Sequence, residues 1–320
     1  MPSRRHLLAA AALLPLPAMA QTGGAARPLR IVIPFPPGGT SDVLVRLMQP
    51  RLAERLGRTV LVENRAGGAT IIGTDLVAKA PADGDTILFI ANSFTINATL
   101  VRNPPFDARR DFTGLASIGF NPHVLVVNND FPARTVAEVV AAAKARPGQL
   151  SYASFGNGTS SHLGGESFKQ AAGIEIQHVP YRGGAPALQD MMGGQVPMMF
   201  NNLPDTLPMI RDGRVRAIAV ADSRRADVLP DVPTFAEAGL PGVTSNSWFG
   251  LIARADVPAP LLDRLSEAVA ATLAESAIAA RFVELGVQPR QMSRAAFDSF
   301  VRAEIDGNAA IIRSANIKAD

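Results

Sequence analysis

The chain has 320 residues, 47% hydrophobic and 18% charged, the balance of a well-cored globular protein rather than a disordered one. Zero cysteines exclude disulfides and thiolate metal sites. The formal charge of +3 falls to +1 without Arg4 and Arg5, and no basic run with interleaved aromatics occurs, which argues against nucleic acid as a partner.

The first residues read as a leader. Arg4 and Arg5 form a positive n-region, Leu7 to Ala18 an apolar run, and Ala18-Met19-Ala20 a cleavage site. The run is shorter than the roughly 20 residues that span a bilayer. Ser3-Arg4-Arg5-His6-Leu7-Leu8 also fits a twin-arginine signal, so an ordinary secretory route and a twin-arginine route stay open. Both predict an exported protein. Residues 21–320 are then long enough for two domains of about 150 residues.

Strands and helices alternate from there. Strand 29–34 leads to helix 41–56, in which Pro50 should kink or divide the helix. Strand 59–64, helix 69–80 and strand 86–91 follow. The rhythm restarts after about residue 121 with strand 123–128 and helix 135–145, opened by the capping box Thr135-x-x-Glu138. Strands 150–154, 174–179, 195–200 and 215–220 alternate with helices 160–171, 184–192 and 204–211. A short helix is expected at 234–238, with a second box at Thr234 and Glu237. After "SNSWFGLIA" (245–253) come long helices at 259–285 and 294–316. Apolar strands alternating with amphipathic helices predict an α/β protein, each unit a mainly parallel sheet covered on both faces.

Three turns share one design. "PFPPGGTSD" (34–42), "FGNGTSS" (155–161) and "YRGG" (181–184) each join a strand to a helix through glycine, with few bulky side chains. A helix start has unpaired N–H groups and about half a positive charge, so such turns can bind an anion. Ordinary capping chemistry explains any one of them; three together favour a shared ligand. A carboxylate fits better than a phosphate, because neither the phosphate-loop motif nor the complete dinucleotide fingerprint is present. Ser160 or Ser161 with His162 and Asp190 could be cast as a hydrolase triad. However, "GTSSH" is not a nucleophile elbow, the chain order is wrong, and helical neighbours do not face one another. No enzyme, cofactor or metal site is expected; His123, His162 and His178 are scattered, and Asp83-Gly84-Asp85 reads as a turn.

Longer stretches carry a family resemblance. These include "IVIPFPPGGTSDVLVRLM", "VLVENRAGGATIIGTDLVAKAPADGDTIL", "LSYASFGNGTSSHLGGESFK" and "HVPYRGGAPALQDMMGGQVPMMF". "GRVRAIAVADSRRADVLPDVPTFAEAGLPG" and "WFGLIARADVPAPLLDRLSEAV" continue the series. Over residues 28–318 the chain resembles the extracytoplasmic solute receptors of the tripartite tricarboxylate transporter system, the Bug or TctC-like group of periplasmic binding proteins.

The resemblance implies a monomeric, type II-like Venus-flytrap receptor. Residues 27–121 plus 247–320 would form domain 1 and 122–246 domain 2, closing on a small carboxylated solute. It implies ligand contacts from Phe35, Pro37, Gly38, Gly39 and Asp42, with Asn92 and Ser93 on the same side. Facing them would be Gly156, Asn157, Gly158, Thr159, Ser160 and His162, with Tyr181 and Asn202 at the rim. For Asp42, capping of backbone N–H groups has equal weight with ligand contact. Arg182 reads as a solvated rim charge more readily than as a ligand arginine, and Trp248 as interdomain core. The implied partners are membrane permease subunits of a tripartite transporter or, alternatively, a sensor protein.

Overall fold

The computed structural model describes residues 27–314; the leader expected at 1–20 and the last residues of helix 294–316 lie outside them. The first elements are β1 (Leu29–Ile33), α1 (Thr40–Leu56), β2 (Val60–Asn64), α2 (Ile71–Ala78), β3 (Thr86–Ala91) and α3 (Asn92–Leu100). Next come β4 (Phe112–Asn128), α4 (Val136–Ala145), β5 (Ser151–Ser154), α5 (Ser160–Ala172), β6 (Gln177–Pro180) and α6 (Gly184–Met192). Then follow β7 (Met198–Asn202), α7 (Leu203–Arg211), β8 (Val215–Val220) and β9 (Asn246–Arg254). The chain continues through α8 (Ala259–Leu273), α9 (Ser276–Glu284), β10 (Gln288–Pro289) and α10 (Arg294–Ser314).

The strands join in the order β2-β1-β3-β9-β4-β7-β5-β6, with β8 and β10 also on β4. β1 runs parallel to β2 and β3, and β5 runs parallel to β6 and β7. In the middle, β9 is antiparallel to β3 and β4, and β4 is antiparallel to β7 and β8. The sheet is therefore mixed, where sequence pattern suggested a mainly parallel one. Apolar alternation registers burial and not strand direction, so β9 gives no sign that it enters antiparallel. β4 pairs with β9 up to Asn121↔Ser247 and Pro122↔Asn246, then with β7 and β8 from His123 and Val124 onward. One long strand thus belongs to both halves.

Period-2 alternation places apolar groups on both sheet faces. Ile31 and Ile33 pack with Leu44 and Leu52 of α1, while Val32 between them packs with Val77 of α2 and Leu88. In the other half, Leu125 and Val127 join Tyr152 and Phe200, and Val124 and Val126 join Ala187 and Leu207. α10 returns to the first half. Its Asp298 accepts from Gly114 N–H (2.7 Å), and its Glu304 accepts from Trp248 Nε1 (2.9 Å). Trp248 is buried against Phe297 and Phe300 in the core of that half, away from any ligand surface.

Some elements differ from expectation. α1 continues through Pro50 undivided; Pro50 and Arg46, whose carbonyl loses its partner, are both exposed, so water can serve that carbonyl. Helix 259–285 is two helices, α8 and α9. Thr234 makes a lone parallel bridge to Val220 and residues 235–239 form turns, although the capping-box bonds are made: Glu237 N–H to Thr234 Oγ1 (3.1 Å) and Thr234 N–H to Glu237 Oε2 (2.7 Å). At α4 half of the box is formed: Thr135 accepts from Glu138 N–H at 3.2 Å, while the Glu138 carboxylate accepts from Arg134 N–H instead of Thr135 N–H. Thr135→Ala is expected to lower stability by about 1 kcal/mol, measured as a shift in urea midpoint.

Candidate functional site

A cleft of about 540 Å³, counted out to the solvent at its mouth, lies between the two halves. Five helices begin at its wall. Gly39, Thr40 and Ser41 open α1; Ala91, Asn92 and Ser93 open α3; Thr159 and Ser160 open α5. Gly183, Gly184 and Ala185 open α6, and Asn202 and Asp205 open α7. Four of these starts, all but that of α5, carry no side-chain cap. Their N–H groups are therefore not consumed by their own cap residues, and each start contributes about +0.5 charge. Phe35, Pro36, Phe155 and Phe249 supply the apolar lining. No lysine or arginine reaches this wall; Asp205 is its one charged residue.

Behind the cleft lies a polar network. Ser245 donates to Ser160 O (3.1 Å), so its Oγ accepts from His123 Nδ1 (2.8 Å). His123 Nε2 then accepts from Ser247 Oγ (2.9 Å), which lies 3.1 Å from Ser160 Oγ. The bond pattern assigns the neutral Nδ1–H tautomer. Burial drives the His123 pKa down to about 3, against an opposing contact with Asn202. Asn202 Oδ1 accepts from Asn121 Nδ2 (3.3 Å), and Asn202 Nδ2 lies 3.5 Å from Asp205 Oδ2. Asp205 Oδ1 accepts from Thr40 Oγ1 at 2.7 Å, a bond from one half of the molecule to the other.

Two glycines allow the halves to meet. At Gly158 (φ +67°) an added Cβ would fall 2.3 Å from Asn97 Oδ1 and 2.6 Å from Leu100 Cδ2 of α3. At Gly183 (φ +120°) it would fall 2.9 Å from Pro36 Cδ. Outside the cleft, a wider groove of about 1860 Å³ is lined by residues 66–70, Arg102, Asn157, Tyr181 and Arg182.

The residues singled out from sequence divide into three groups. Phe35, Gly39, Asn92, Ser93, Thr159, Ser160 and Asn202 line the cleft. Gly156, Asn157 and Tyr181 line the outer groove, which Phe35 and Thr159 also border. Pro37, Gly38, Asp42, Gly158 and His162 line neither. Pro37 and Gly38 face solvent, because the turn directs only Gly39 inward. Asp42 caps its own turn, accepting from Gly38 N–H (3.1 Å) and Arg46 Nε (2.9 Å); the arginine and these bonds hold its carboxyl below the usual range although burial opposes them. His162 stacks on His178, with ring centres 4.0 Å apart. The Ser160–His162–Asp190 triad is not assembled: Ser160 approaches His123, and Asp190 accepts from Tyr181 OH. Among the described residues no cluster could hold a metal ion.

Sequence reading missed Thr40, Asp205, Ser247 and His123. Thr40 adjoins a glycine already singled out. Asp205 in "NLPDT" has the look of an ordinary first-turn acid, and Ser247 that of one residue within a strand.

Residues 44–317 match the sequence model described as Tripartite tricarboxylate transporter family receptor. The chain belongs to that receptor family. It is 34% identical over 295 residues to the protein BugT of Bordetella pertussis, covering 92% of this chain and 90% of BugT. The solved structure of R. palustris Rpa4515 with adipate is 35% identical, with a TM-score of 0.88 over 92% of this chain and 98% of that one. MatC of Rhodopseudomonas palustris, with bound malate, is 29% identical, with a TM-score of 0.84 over 90% and 99%. TctC-family receptors are solute-binding proteins of two-lobed α/β fold, and the two halves described above are the two lobes.

Proposed function

We propose that the chain is a periplasmic receptor that captures one small carboxylated solute by closing its lobes, then presents it to the membrane subunits of a tripartite transporter. One observation carries the reading: five helix starts converge on a single interlobe cleft that holds no cationic side chain. Such a site neutralises a carboxylate with fixed backbone dipoles and hydroxyls instead of a flexible arginine or lysine. Adipate on Rpa4515 and malate on MatC, both small dicarboxylates, support the same class here.

We take residues 27–121 plus 247–320 as domain 1 and 122–246 as domain 2, with Asn121, Pro122, Asn246 and Ser247 as the crossing. Bonds such as Thr40–Asp205 exist only when the lobes meet. A ligand that bridges the α3 and α5 starts therefore favours closure by its different affinity for the open and closed states. The test is thermal unfolding of ligand-stripped protein against a panel of mono-, di- and tricarboxylates. A ligand at about 100 times its Kd adds roughly 2.7 kcal/mol, so one acid should raise the Tm by several degrees. A panel without any shift would refute carboxylate capture.

A further inference from the structure

The cleft wall contains five positive helix starts and one negative side chain, Asp205. In a receptor built only to hold a carboxylate, a carboxylate in the wall repels the solute, whatever its bond to Thr40 adds to closure. The group is not a stray surface acid. Its Oδ1 is held by Thr40 from the opposite lobe at 2.7 Å. Its Oδ2 lies 3.0 Å from where a side chain on Gly184 would begin, so a larger residue there would press on the carboxylate. Asn202 Nδ2, at 3.5 Å, is a weak partner for Oδ2, which keeps accepting capacity toward the cleft. Burial pushes the pKa of Asp205 up to about 6, against the bonds from Thr40 and Asn202, so the group is still mostly ionised at neutral pH. Asp205 occupies the α1 start, while the α3 start at Asn92 and Ser93 is uncapped, and at the α5 start Thr159 takes only the His162 N–H.

We infer that Asp205 sets the charge pattern of the solute: the cleft selects a carboxylate that also carries an ammonium group, with the carboxylate on the α3 and α5 starts and the ammonium against Asp205 Oδ2. This rests on the carboxylate-receptor reading above and narrows it to zwitterionic, amino-acid-like solutes. A plain dicarboxylate would place like charges together in a water-poor site, whereas an ammonium completes the bonding of Oδ2.

Titration calorimetry at pH 7.5 with matched pairs tests it: L-aspartate against succinate, L-glutamate against glutarate, L-leucine against 4-methylpentanoate, L-phenylalanine against 3-phenylpropionate. In whichever pair binds, the amino member is expected to bind at least tenfold tighter. Asp205→Asn keeps the shape and an acceptor for Thr40, but turns an amide toward the cleft, and should reverse the order. Thr40→Ala removes a bond to Asp205 but keeps the charge; it should weaken both members and preserve the order, an outcome that a purely structural role for Asp205 does not give. Tighter binding of the amine-free member by wild-type protein, or an unchanged order in Asp205→Asn, overturns the inference and leaves carboxylate capture standing. Absence of binding by every acid overturns both.

Discussion

Gly158→Ala is expected to weaken ligand binding by about 30-fold, within a range of about 5- to 150-fold, while both lobes stay folded. The added methyl would lie 2.3 Å from Asn97 Oδ1 and 2.6 Å from Leu100 Cδ2. Neither atom can swing aside freely. Asn97 is buried and tied by its Nδ2 to Ala69 O at 2.7 Å, and Leu100 is buried beside Ile96 and Leu163. Because Gly158 and α3 sit on opposite lobes, the overlap exists only in the closed arrangement. Overpacking of this kind costs about 1–3 kcal/mol, and all of it opposes closure. The left-handed φ of +67° adds about 1–2 kcal/mol, but in the open and closed forms alike. Gly148→Ala separates the two effects: φ there is +69°, and nothing lies within 4 Å of the added carbon. Both variants should lose similar thermal stability, and only Gly158→Ala should lose affinity by calorimetry. Equal affinities in the two variants would show that Gly158 is not a closure contact.

The contrast between Gly158 and Gly39 shows how much of the site was legible in the sequence. Glycine-rich turns before helices announce an anion site locally, and Gly39, Asn92, Ser93, Thr159 and Ser160 do line the cleft. The same signal cannot say which way a turn faces. Pro37 and Gly38 belong to the same Pro/Gly turn as Gly39, yet point outward, and the second glycine of "GNG" serves the lobe contact instead of the wall. Strand periodicity fixed both cores, because β1 and β4 are apolar on both faces. It missed residues 112–122 of β4, where polar Thr113, Ser117 and Asn121 and the glycines at 114 and 119 interrupt the apolar run. α3 was missed because it begins directly at the end of β3 with no turn between them. Asp205 and His123 were out of reach for another reason. Their significance comes from partners 165 and 122–124 residues away, Thr40 for the first and Ser245 and Ser247 for the second, and only the closed fold brings these together.

Those two groups make the second large effect a matter of pH. Between about pH 6 and 4 the Asp205→Asn variant should lose stability more steeply than wild-type protein, by about 1 kcal/mol per pH unit after allowance for solvent at the cleft. His123 carries a pKa of 6.5 when exposed and about 3 when folded, so only the unfolded chain takes up this proton in between, and acidification removes stability. Asp205 runs the other way. Its ordinary value of 3.8 rises to about 6 in the fold, so the folded chain takes up the proton first and acidification adds stability. One proton each, at about 1.4 kcal/mol per pH unit, nearly cancels over the shared window. Asn202, in contact with both groups, joins them into one polar unit. Other charges on neighbouring elements are occupied elsewhere: Asp42 by Arg46, Asp190 by Tyr181, and Arg216 by the carbonyls of Phe131 and Ala133. All remaining carboxylates are common to both proteins and drop out of the difference. Asp205→Asn should therefore be more stable than wild type by about 2 kcal/mol at pH 7, allowing for the solvent that reaches Asp205 through the cleft, and equal to it near pH 4. Urea unfolding at pH 7, 5.5 and 4.2 measures this directly, and a difference independent of pH would mean that Asp205 titrates normally. The closed arrangement thus holds an ionised carboxylate at a cost in stability, a cost that a cationic group arriving with the solute would remove.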